Sequence, residues 1–275
     1  MRALVFSAGG TFGAYQAGVW QALEERGFRP EIVVGASVGA VNATAVARGC
    51  TGKRLQEWWR DPASNVFHWN WPPRGLALLD GRALESRLKE LLQEFSRPLG
   101  GVRLSATVTE LPSTRIRVIS DEHVTPRTLL ASCAVPLVHA PVALEGRWYM
   151  DGGLFCRLPL RVAAEAGASD IVSVDLLAAP PSALLRGMMN AVLRVRGLWV
   201  REPMSLPEGI REGRVEPHEP LGGPFEMLRW ELSRVDRWID AGYRDAAAAW
   251  ERFSRESHAS AAQPSSPTVE RTAPI

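Results

Sequence analysis

The feature that most constrains the fold is an apolar, β-branched run that ends in a Gly-x-Ser-x-Gly turn. Residues 32–34 are of strand type, Ser37 stands between Gly35 and Gly39, and small residues of helical character continue to position 48. Strand, sharp turn and helix form the context that a nucleophile elbow requires. The two glycines let strand and helix approach, and the helix N-terminus stabilises negative charge beside the hydroxyl. We therefore predict that Ser37 is a nucleophile.

A second glycine-rich turn lies near the start of the chain. The apolar strand at 3–6 runs into Ser7-Ala8-Gly9-Gly10-Thr11-Phe12-Gly13, and a helical pattern follows that a glycine closes at position 27. Such a turn presents backbone N–H groups outward and forms an anion site. The chain lacks both Gly-x-Gly-x-x-Gly and the Walker pattern, so a dinucleotide or nucleotide phosphate is disfavoured. An oxyanion hole for acyl transfer is the remaining interpretation.

These two turns are predicted to lie side by side. Only about 27 residues separate Gly10 from Ser37, which suits a βαβ unit with parallel strands. In such a unit both loops open at the same edge of the sheet. Each motif therefore supports the other.

Composition excludes several other classes of protein. Of the 275 residues, 46% are apolar and 23% are charged, as in one large or two small globular domains, and the net charge of +2 argues against a nucleic-acid partner. The three widely spaced cysteines predict buried, reduced thiols without a metal site. The N-terminal apolar run is too short for a signal peptide, and no apolar run reaches the length of a membrane span. We expect a cytoplasmic protein that needs no cofactor.

The other elements follow from periodicity, caps and breakers. Helices are predicted over 52–60, 80–95, 125–134 and 159–167, and strands over 102–109, 115–120, 142–144, 147–150 and 170–175. A Pro- and Trp-rich loop is predicted over 61–75. A basic apolar helix over 184–200, on a membrane surface or facing the core, precedes a Pro-rich connection over 203–224 and a final helix over about 225–253.

Asp151 is the second candidate for a site. It follows a predicted strand and precedes Gly152 and Gly153, which leave room for its carboxylate to enter a shared cleft. An aspartate before two glycines more often serves only the turn itself. Sequence context alone favours that simpler role.

Four motifs in order resemble the patatin-like phospholipase family. The loop and helix at 7–19 resemble the family's oxyanion loop, 35–42 its nucleophile elbow, 131–136 its Ala-Ser-x-Ala-x-Pro block, and 151–153 its Asp-Gly-Gly motif with Pro159 following. The resemblance spans residues 3–174. It implies an α/β fold of three layers, α/β/α, with a mainly parallel central sheet. We expect this hydrolase domain to occupy residues 1–254, before a disordered Ser/Ala/Pro-rich tail over 255–275.

The resemblance also implies a mechanism without histidine or metal. Ser37 would attack an ester carbonyl and Asp151 would take its proton, with an acyl-enzyme hydrolysed by water. Such a protein is a serine lipid acyl hydrolase (a phospholipase A, a lysophospholipase or an acyl esterase) that acts on a lipid or acyl ester, with possible peripheral membrane contact. The implied oxyanion donors are Gly9, Gly10, Thr11 and Val38, and the glycines that shape the motifs are Gly13, Gly35, Gly39, Gly152 and Gly153.

The chain departs from the family pattern at two positions of the first loop. Phe12 stands where the family usually has Arg or Lys, and Ala8 replaces the first loop glycine. The missing positive charge predicts weaker binding of an anionic headgroup, or a preference for neutral esters.

Two alternatives remain. A Ser-Asp-His triad needs a histidine after the acid, which leaves His218 in a Pro-rich loop and His258 in the predicted tail. His139 precedes Asp151 and is expected to pack locally, and no motif surrounds His68 or His123. The other alternative is a catalytically silent protein that binds lipid or a partner, which Phe12 favours and the intact Ser37 and Asp151 disfavour.

Overall fold

An eight-stranded sheet forms the centre of the fold. The computed structural model describes residues 1–66, 69–74, 77–96, 100–136, 138–177, 206–223 and 225–261. The strands of the whole described structure, in chain order, are β1 (Arg2–Phe6), β2 (Ile32–Ala36), β3 (Trp69–Arg74), β4 (Ala77–Leu79), β5 (Arg103–Leu111), β6 (Arg115–Ser120), β7 (Val142–Leu144), β8 (Arg147–Asp151), β9 (Asp170–Val174) and β10 (Arg211–Val215). In the eight-stranded sheet the strand order is β10-β9-β1-β2-β5-β8-β7, with β6 also paired to β5. Strands β3 and β4 form a separate two-stranded ribbon.

Six helices lie between these strands in the described part of the chain, and a seventh follows the last strand. They are α1 (Gly13–Glu25), α2 (Val38–Ala47), α3 (Gly52–Arg60), α4 (Gly81–Glu94), α5 (Pro126–Ser132), α6 (Leu160–Glu165) and α7 (Leu232–Ala261). The predicted N-termini of two helices, α4 and α5, are confirmed by their capping hydrogen bonds. Asp80 Oδ1 accepts from the N–H of Arg82, and Thr125 forms a capping box with Thr128.

Helices cover both faces of the parallel part of the sheet. On β1, Leu4 and Phe6 join the core beneath α1, α2 and α7, whereas Ala3 and Val5 join the core beneath α6. This alternation follows from the two-residue period of a strand. Strands β10, β9, β1, β2 and β5 are mutually parallel, and the antiparallel strands lie beyond them. The predicted three-layer α/β/α fold with a mainly parallel sheet is confirmed.

Two strands meet end to end against one edge of β5. Strand β2 pairs in parallel with β5 up to Ala36 opposite Thr107, and β8 pairs antiparallel from Asp151 opposite Val108. Strand β6 pairs with residues 105–110 of β5 and therefore occupies the other edge. The C-terminal ends of β2 and β8 consequently face each other at consecutive positions of a single strand. This register brings residues 37 and 151 together.

The final helix differs from its predicted bounds. It begins at Leu232, later than the expected start near position 225, and continues to Ala261, beyond the expected end at 253 and into the predicted tail. Its contact with α1 is unusually close, because a Cβ on Gly18 would lie 1.9 Å from the carbonyl oxygen of Ile239. This backbone contact makes α7 part of the central packing. Residues 262–275 of the predicted tail lie outside the described residues.

Two predicted loops contain strands. The Pro- and Trp-rich segment holds a 3₁₀ turn at Pro62–Ser64 and most of the β3–β4 ribbon, and the Pro-rich connection holds the edge strand β10. Strand β10 reads Arg-Glu-Gly-Arg-Val and lacks the apolar run of a central strand, so its sequence gave no strand signal. The predicted helix over 184–200 lies outside the described residues. Among the helices that are described, none is long and apolar enough to cross a bilayer.

Candidate active site

Ser37 occupies a strained turn between β2 and α2. Its backbone has φ 55° and ψ −129°, which is uncommon for a residue with a side chain. A Cβ on Gly35 would lie 2.1 Å from the Gly39 carbonyl oxygen, and a Cβ on Gly39 would lie 2.5 Å from that of Phe6. Only glycine permits these approaches, which explains the spacing of the predicted elbow.

The Ser37 hydroxyl bonds directly to Asp151. Ser37 Oγ donates to Asp151 Oδ2 at 2.6 Å, and both residues are at least nine-tenths buried. The other carboxylate oxygen, Oδ1, accepts from the N–H of Gly153 at 2.6 Å. Asp151 therefore serves its own turn and contacts the serine with the same side chain. The structural and the functional interpretations of this aspartate are compatible.

The two glycines after Asp151 stand where no side chain fits. A Cβ on Gly152 would lie 2.2 Å from the carbonyl oxygen of Thr107, and one on Gly153 would lie 2.2 Å from the Cβ of Ala8. The second contact joins the Asp-Gly-Gly turn to the first glycine-rich loop. Both turns thus pack against each other beside Ser37.

Burial changes the acidity of Asp151. It raises the pKa of this carboxyl from 3.8 to about 7, although hydrogen bonds from Ser37 and Gly153 partly oppose the shift. A group with that pKa exchanges protons near neutral pH. Asp151 is therefore a stronger base than an ordinary carboxylate.

Ser132 holds the backbone of the elbow, a role that the sequence did not predict. Its Oγ accepts from the N–H of Ser37 at 3.1 Å and donates to the carbonyl of Thr107 at 2.8 Å. The Ala-Ser-x-Ala-x-Pro block contains this serine, but it is 95 residues away from Ser37 along the chain, and no local pattern indicates that the two residues meet. Its position in that block is the only feature of the sequence that could have marked Ser132 as part of the site.

Asn42 and Gln16 join the two loops through buried amides. Asn42 Nδ2 donates to the carbonyl of Gly13 at 2.9 Å and to Gln16 Oε1 at 2.8 Å, and Gln16 Nε2 donates to the carbonyl of Ser7 at 2.8 Å. Trp59 Nε1 donates to Asn42 Oδ1 at 3.1 Å. Because these amides are buried and paired, the elbow and the glycine loop keep a fixed relative position.

A cavity of about 60 Å³ opens onto Ser37. Gly10 and Val38 line it, and each is the first residue of a helical turn, whose N–H has no partner within that turn. Of the predicted oxyanion residues, Gly9 and Thr11 do not line this cavity. The remaining lining is largely apolar and includes Val41, Trp58, Trp59, Val66, Val135 and Leu228.

A turn at Glu226–Leu228 packs over the glycine loop. A Cβ on Gly10, whose φ is 56°, would lie 2.3 Å from the carbonyl oxygen of Met227. Thr11 Oγ1 donates to the carbonyl of Glu226 at 2.8 Å. This turn belongs to none of the four motifs, so its contact with the loop could not be predicted.

Phe12 belongs to the core. It is 1% exposed and packs edge-on against Trp238 of α7, with 5.1 Å between ring centroids. The position that usually carries a basic residue in the resembled family here supports the α1–α7 packing. It brings no positive charge to the glycine loop.

The histidines do not form a triad among the described side chains. His123 and His218 are exposed, and the side chains of His68 and His258 lie outside the description. His139 is buried and lines the cavity, but the Ser37 hydroxyl bonds to Asp151. Burial lowers the pKa of His139 to about 4, so its ring is neutral at pH 7.

Comparison with known proteins identifies relatives of this chain. Residues 4–164 match the family model "Patatin-like phospholipase". The uncharacterized protein YqhO of Bacillus subtilis is 26% identical over 203 residues, which are 62% of this chain and 70% of that protein. The human patatin-like phospholipase domain-containing protein 6 is 25% identical over 185 residues, covering 63% of this chain and only 13% of the human protein.

The fold is also similar to a solved structure. VipD from Legionella pneumophila superposes with a TM-score of 0.57 over 92% of this chain and 67% of that chain, at 14% sequence identity. At this sequence identity the superposition shows a shared fold and nothing further. It agrees with the three-layer arrangement described above.

Proposed function

The chain belongs to the patatin-like phospholipase family, and we propose that it is a serine lipid acyl hydrolase in which Ser37 and Asp151 act as a dyad. One observation carries this proposal. The Ser37 hydroxyl, on a strained turn, donates a 2.6 Å hydrogen bond to a buried carboxylate whose pKa is raised to about 7. Nucleophile and base are thus within proton-transfer distance.

The first half-reaction transfers the acyl group to Ser37. Its Oγ attacks the ester carbonyl carbon while its proton passes to Asp151 Oδ2. The tetrahedral oxyanion accepts hydrogen bonds from the N–H groups of Gly10 and Val38, beside the positive end of α2. When the intermediate collapses, the C–O bond to the alcohol breaks and the alcohol leaves with the proton from Asp151.

The second half-reaction regenerates the serine. Water attacks the acyl-enzyme carbonyl and gives a proton to Asp151. Collapse of the second intermediate releases the fatty acid, and Ser37 recovers its proton from the carboxyl group. No proton is gained or lost over the cycle beyond ionisation of the product acid.

The lining of the cavity supports an acyl substrate. Apart from the reaction centre and the side chains of Ser64, Cys133 and His139, it presents aliphatic and indole side chains to the ligand. Such a surface favours hydrocarbon over polar groups through the hydrophobic effect. The acyl chain of a lipid is the matching ligand.

Labelling with an alkyl fluorophosphonate tests the nucleophile. We expect one covalent adduct per chain by intact mass, and no adduct on Ser37→Ala. Ser64→Ala is a matched control, because Ser64 lines the same cavity but its hydroxyl donates to the carbonyl of Trp58. Labelling of Ser37→Ala at the wild-type rate would disprove the proposal. Absence of labelling on the wild type would favour the silent, lipid-binding alternative.

The pH dependence of kcat/KM tests the base. Asp151 must be ionised to take a proton, so the rate should rise with pH through the pKa of about 7 and level off above it. This predicts an increase of about tenfold between about pH 6 and pH 8. His139, with its lowered pKa of about 4, does not titrate in that range. Initial rates on a soluble ester between about pH 5 and pH 9 provide the measurement, and a flat profile would exclude Asp151 as the titrating base.

A further inference from the structure

The cavity at Ser37 is small for the acyl group of an ordinary lipid. Its volume is about 60 Å³, and aliphatic and indole side chains form most of its described lining. An apolar protein cavity of about 150 Å³ holds one benzene molecule, which corresponds to about 25 Å³ for each carbon. On that scale the cavity at Ser37 has room for about two or three carbons beyond the ester carbonyl. The long chain of an ordinary fatty acid does not fit.

Two neighbouring tryptophans of α3 form one wall of this cavity. The rings of Trp58 and Trp59 meet edge to face, with 5.4 Å between their centroids. Trp59 Nε1 donates to Asn42 Oδ1 at 3.1 Å, and a Cβ on Gly13 would lie 2.7 Å from Trp59 Cζ2. Trp59 therefore cannot turn away from the cavity without breaking a buried hydrogen bond.

A buried guanidinium packs on the Trp58 ring. The Cζ atom of Arg87 lies 4.8 Å from the ring centroid, and the Arg87 side chain is 8% exposed. Its Nη2 donates to Asp61 Oδ2 at 2.9 Å and to Ser64 Oγ at 3.2 Å. Because the cation is held by these hydrogen bonds, ring and guanidinium form one fixed unit. A longer acyl chain would have to disturb this unit in order to displace Trp58.

The indole nitrogen of Trp58 has no partner. The residue is 6% exposed, and its Nε1 is buried without a hydrogen-bond partner among the described residues. Buried polar atoms nearly always have partners, so an unpaired one needs an explanation. A phenylalanine ring at this position would bury no unpaired donor. It would also be narrower, and the cavity would be wider.

We propose that Trp58 restricts the acyl group of the substrate to short chains, of up to about four carbons counting the carbonyl. The acyl group then fills the space beside the indole, and the alcohol part of the ester stays outside the cavity. This inference rests on the proposed acyl hydrolase function and narrows the acyl chain of that proposal to a short one. It also explains the unpaired nitrogen, since the indole is needed for the space that it excludes.

A series of nitrophenyl esters from acetate to decanoate tests the limit, because only the acyl chain changes along it. We expect kcat/KM of the wild type to be highest between acetate and butyrate and at least tenfold lower for octanoate. Trp58→Leu should raise the octanoate-to-butyrate ratio of kcat/KM at least tenfold. Trp58→Phe should raise it less, and this milder variant carries the test if the leucine variant does not fold.

Trp20→Leu is the matched control. Trp20 is 5% exposed, lies on α1 and does not line the cavity. Its replacement also removes a buried indole, so it should lower stability while keeping the octanoate-to-butyrate ratio of the wild type. If Trp20→Leu and Trp58→Leu change the ratio equally, the effect comes from general loosening and the assignment to Trp58 is wrong. Decanoate hydrolysis as fast as butyrate hydrolysis, and dependent on Ser37, would overturn the limit while the acyl hydrolase function stands.

Alkylboronic acids keep the test independent of turnover. Ser37 Oγ adds to boron while its proton passes to Asp151, so the alkyl group takes the place of the acyl chain and no leaving group is needed. By titration calorimetry, propylboronic acid should bind the wild type at least fivefold more tightly than heptylboronic acid. Trp58→Leu should remove that difference, and Ser37→Ala should bind neither compound.

The outcomes of the two experiments separate the size limit from the proposed function. Tighter binding of heptylboronic acid by the wild type would overturn the limit, and an unchanged preference in Trp58→Leu would overturn the role of Trp58. If propylboronic acid binds in a Ser37-dependent way but no ester is hydrolysed, the acyl hydrolase function fails while the limit stands. If neither binding nor hydrolysis occurs, both proposals fail.

Discussion

Asparagine in place of Asp151 is expected to lower kcat for an acyl ester by about 1,000-fold or more, because a general base contributes about 100- to 10,000-fold. The substitution preserves the shape of the side chain, and its carbonyl oxygen can still accept from the N–H of Gly153. An amide cannot take the serine proton, however. We expect the loss to appear in kcat, with KM within a few-fold of wild type, and to match the loss in Ser37→Ala.

The same variant should fold at least as well as the wild type at pH 8. The pKa of Asp151 is raised from 3.8 to about 7 in the folded protein, so folding favours the protonated carboxyl. The free energy of unfolding of the wild type therefore falls as the pH rises from about 4 to about 7. Asparagine removes that cost. Thermal denaturation of both proteins from about pH 4 to pH 8 checks this, and the difference in Tm between variant and wild type should grow with pH.

The activity of the same variant decides the role of the carboxylate. If Asp151→Asn keeps a tenth of the wild-type kcat, Asp151 is excluded as the base.

Alanine in place of Gly35 should damage both stability and activity. The added Cβ would lie 2.1 Å from the carbonyl oxygen of Gly39 and 2.5 Å from the nitrogen of Ala40, which are backbone atoms of α2. Helix and strand must separate to relieve these contacts. We expect a loss of about 3 kcal/mol in the free energy of unfolding. Displacement of Ser37 by even part of that movement should lower kcat by about 100-fold.

A matched glycine provides the control for this prediction. A Cβ on Gly100 would meet no atom of the described residues within 4 Å, so Gly100→Ala should change the free energy of unfolding by less than about 0.5 kcal/mol. Urea denaturation of both variants gives the comparison. Similar stabilities for Gly35→Ala and Gly100→Ala would show that the elbow tolerates a wider gap between strand and helix than its geometry indicates.

The parts of the fold that the sequence predicted are those with local signals. Buried apolar runs predicted β1, β2 and β9, and the capping side chains of Asp80 and Thr125 predicted two helix starts. Strand β10 was missed because an edge strand needs no continuous apolar run. The long helix α7 was placed inaccurately because its first turn follows the turn at Glu226–Leu228, whose position depends on the distant glycine loop.

In the candidate site, too, the residues with a local sequence signal could be predicted and the others could not. Ser37 and its glycines could be predicted, since strand, turn and helix are adjacent in sequence. For Asp151 the sequence could not separate a turn residue from a functional one, because the structure uses the same carboxylate for both contacts. The contact of Ser132 with the elbow and the packing of the Glu226–Leu228 turn on the glycine loop depend on segments that meet only in the folded chain. No local pattern contains that information.

The end-to-end meeting of β2 and β8 on one edge of β5 determines which changes of sequence the reacting pair tolerates. The Ser37–Asp151 spacing is set by pairing at Thr107 and Val108, that is, by backbone register rather than by the side chains that surround the reaction centre. Apolar side chains of the cavity that make no hydrogen bond to the elbow, such as Val41 and Leu228, can therefore change without altering this register. A single-residue insertion in β5 between those positions would instead separate the pair. The position of the reacting pair is thus more sensitive to the length of β5 than to the size of those side chains.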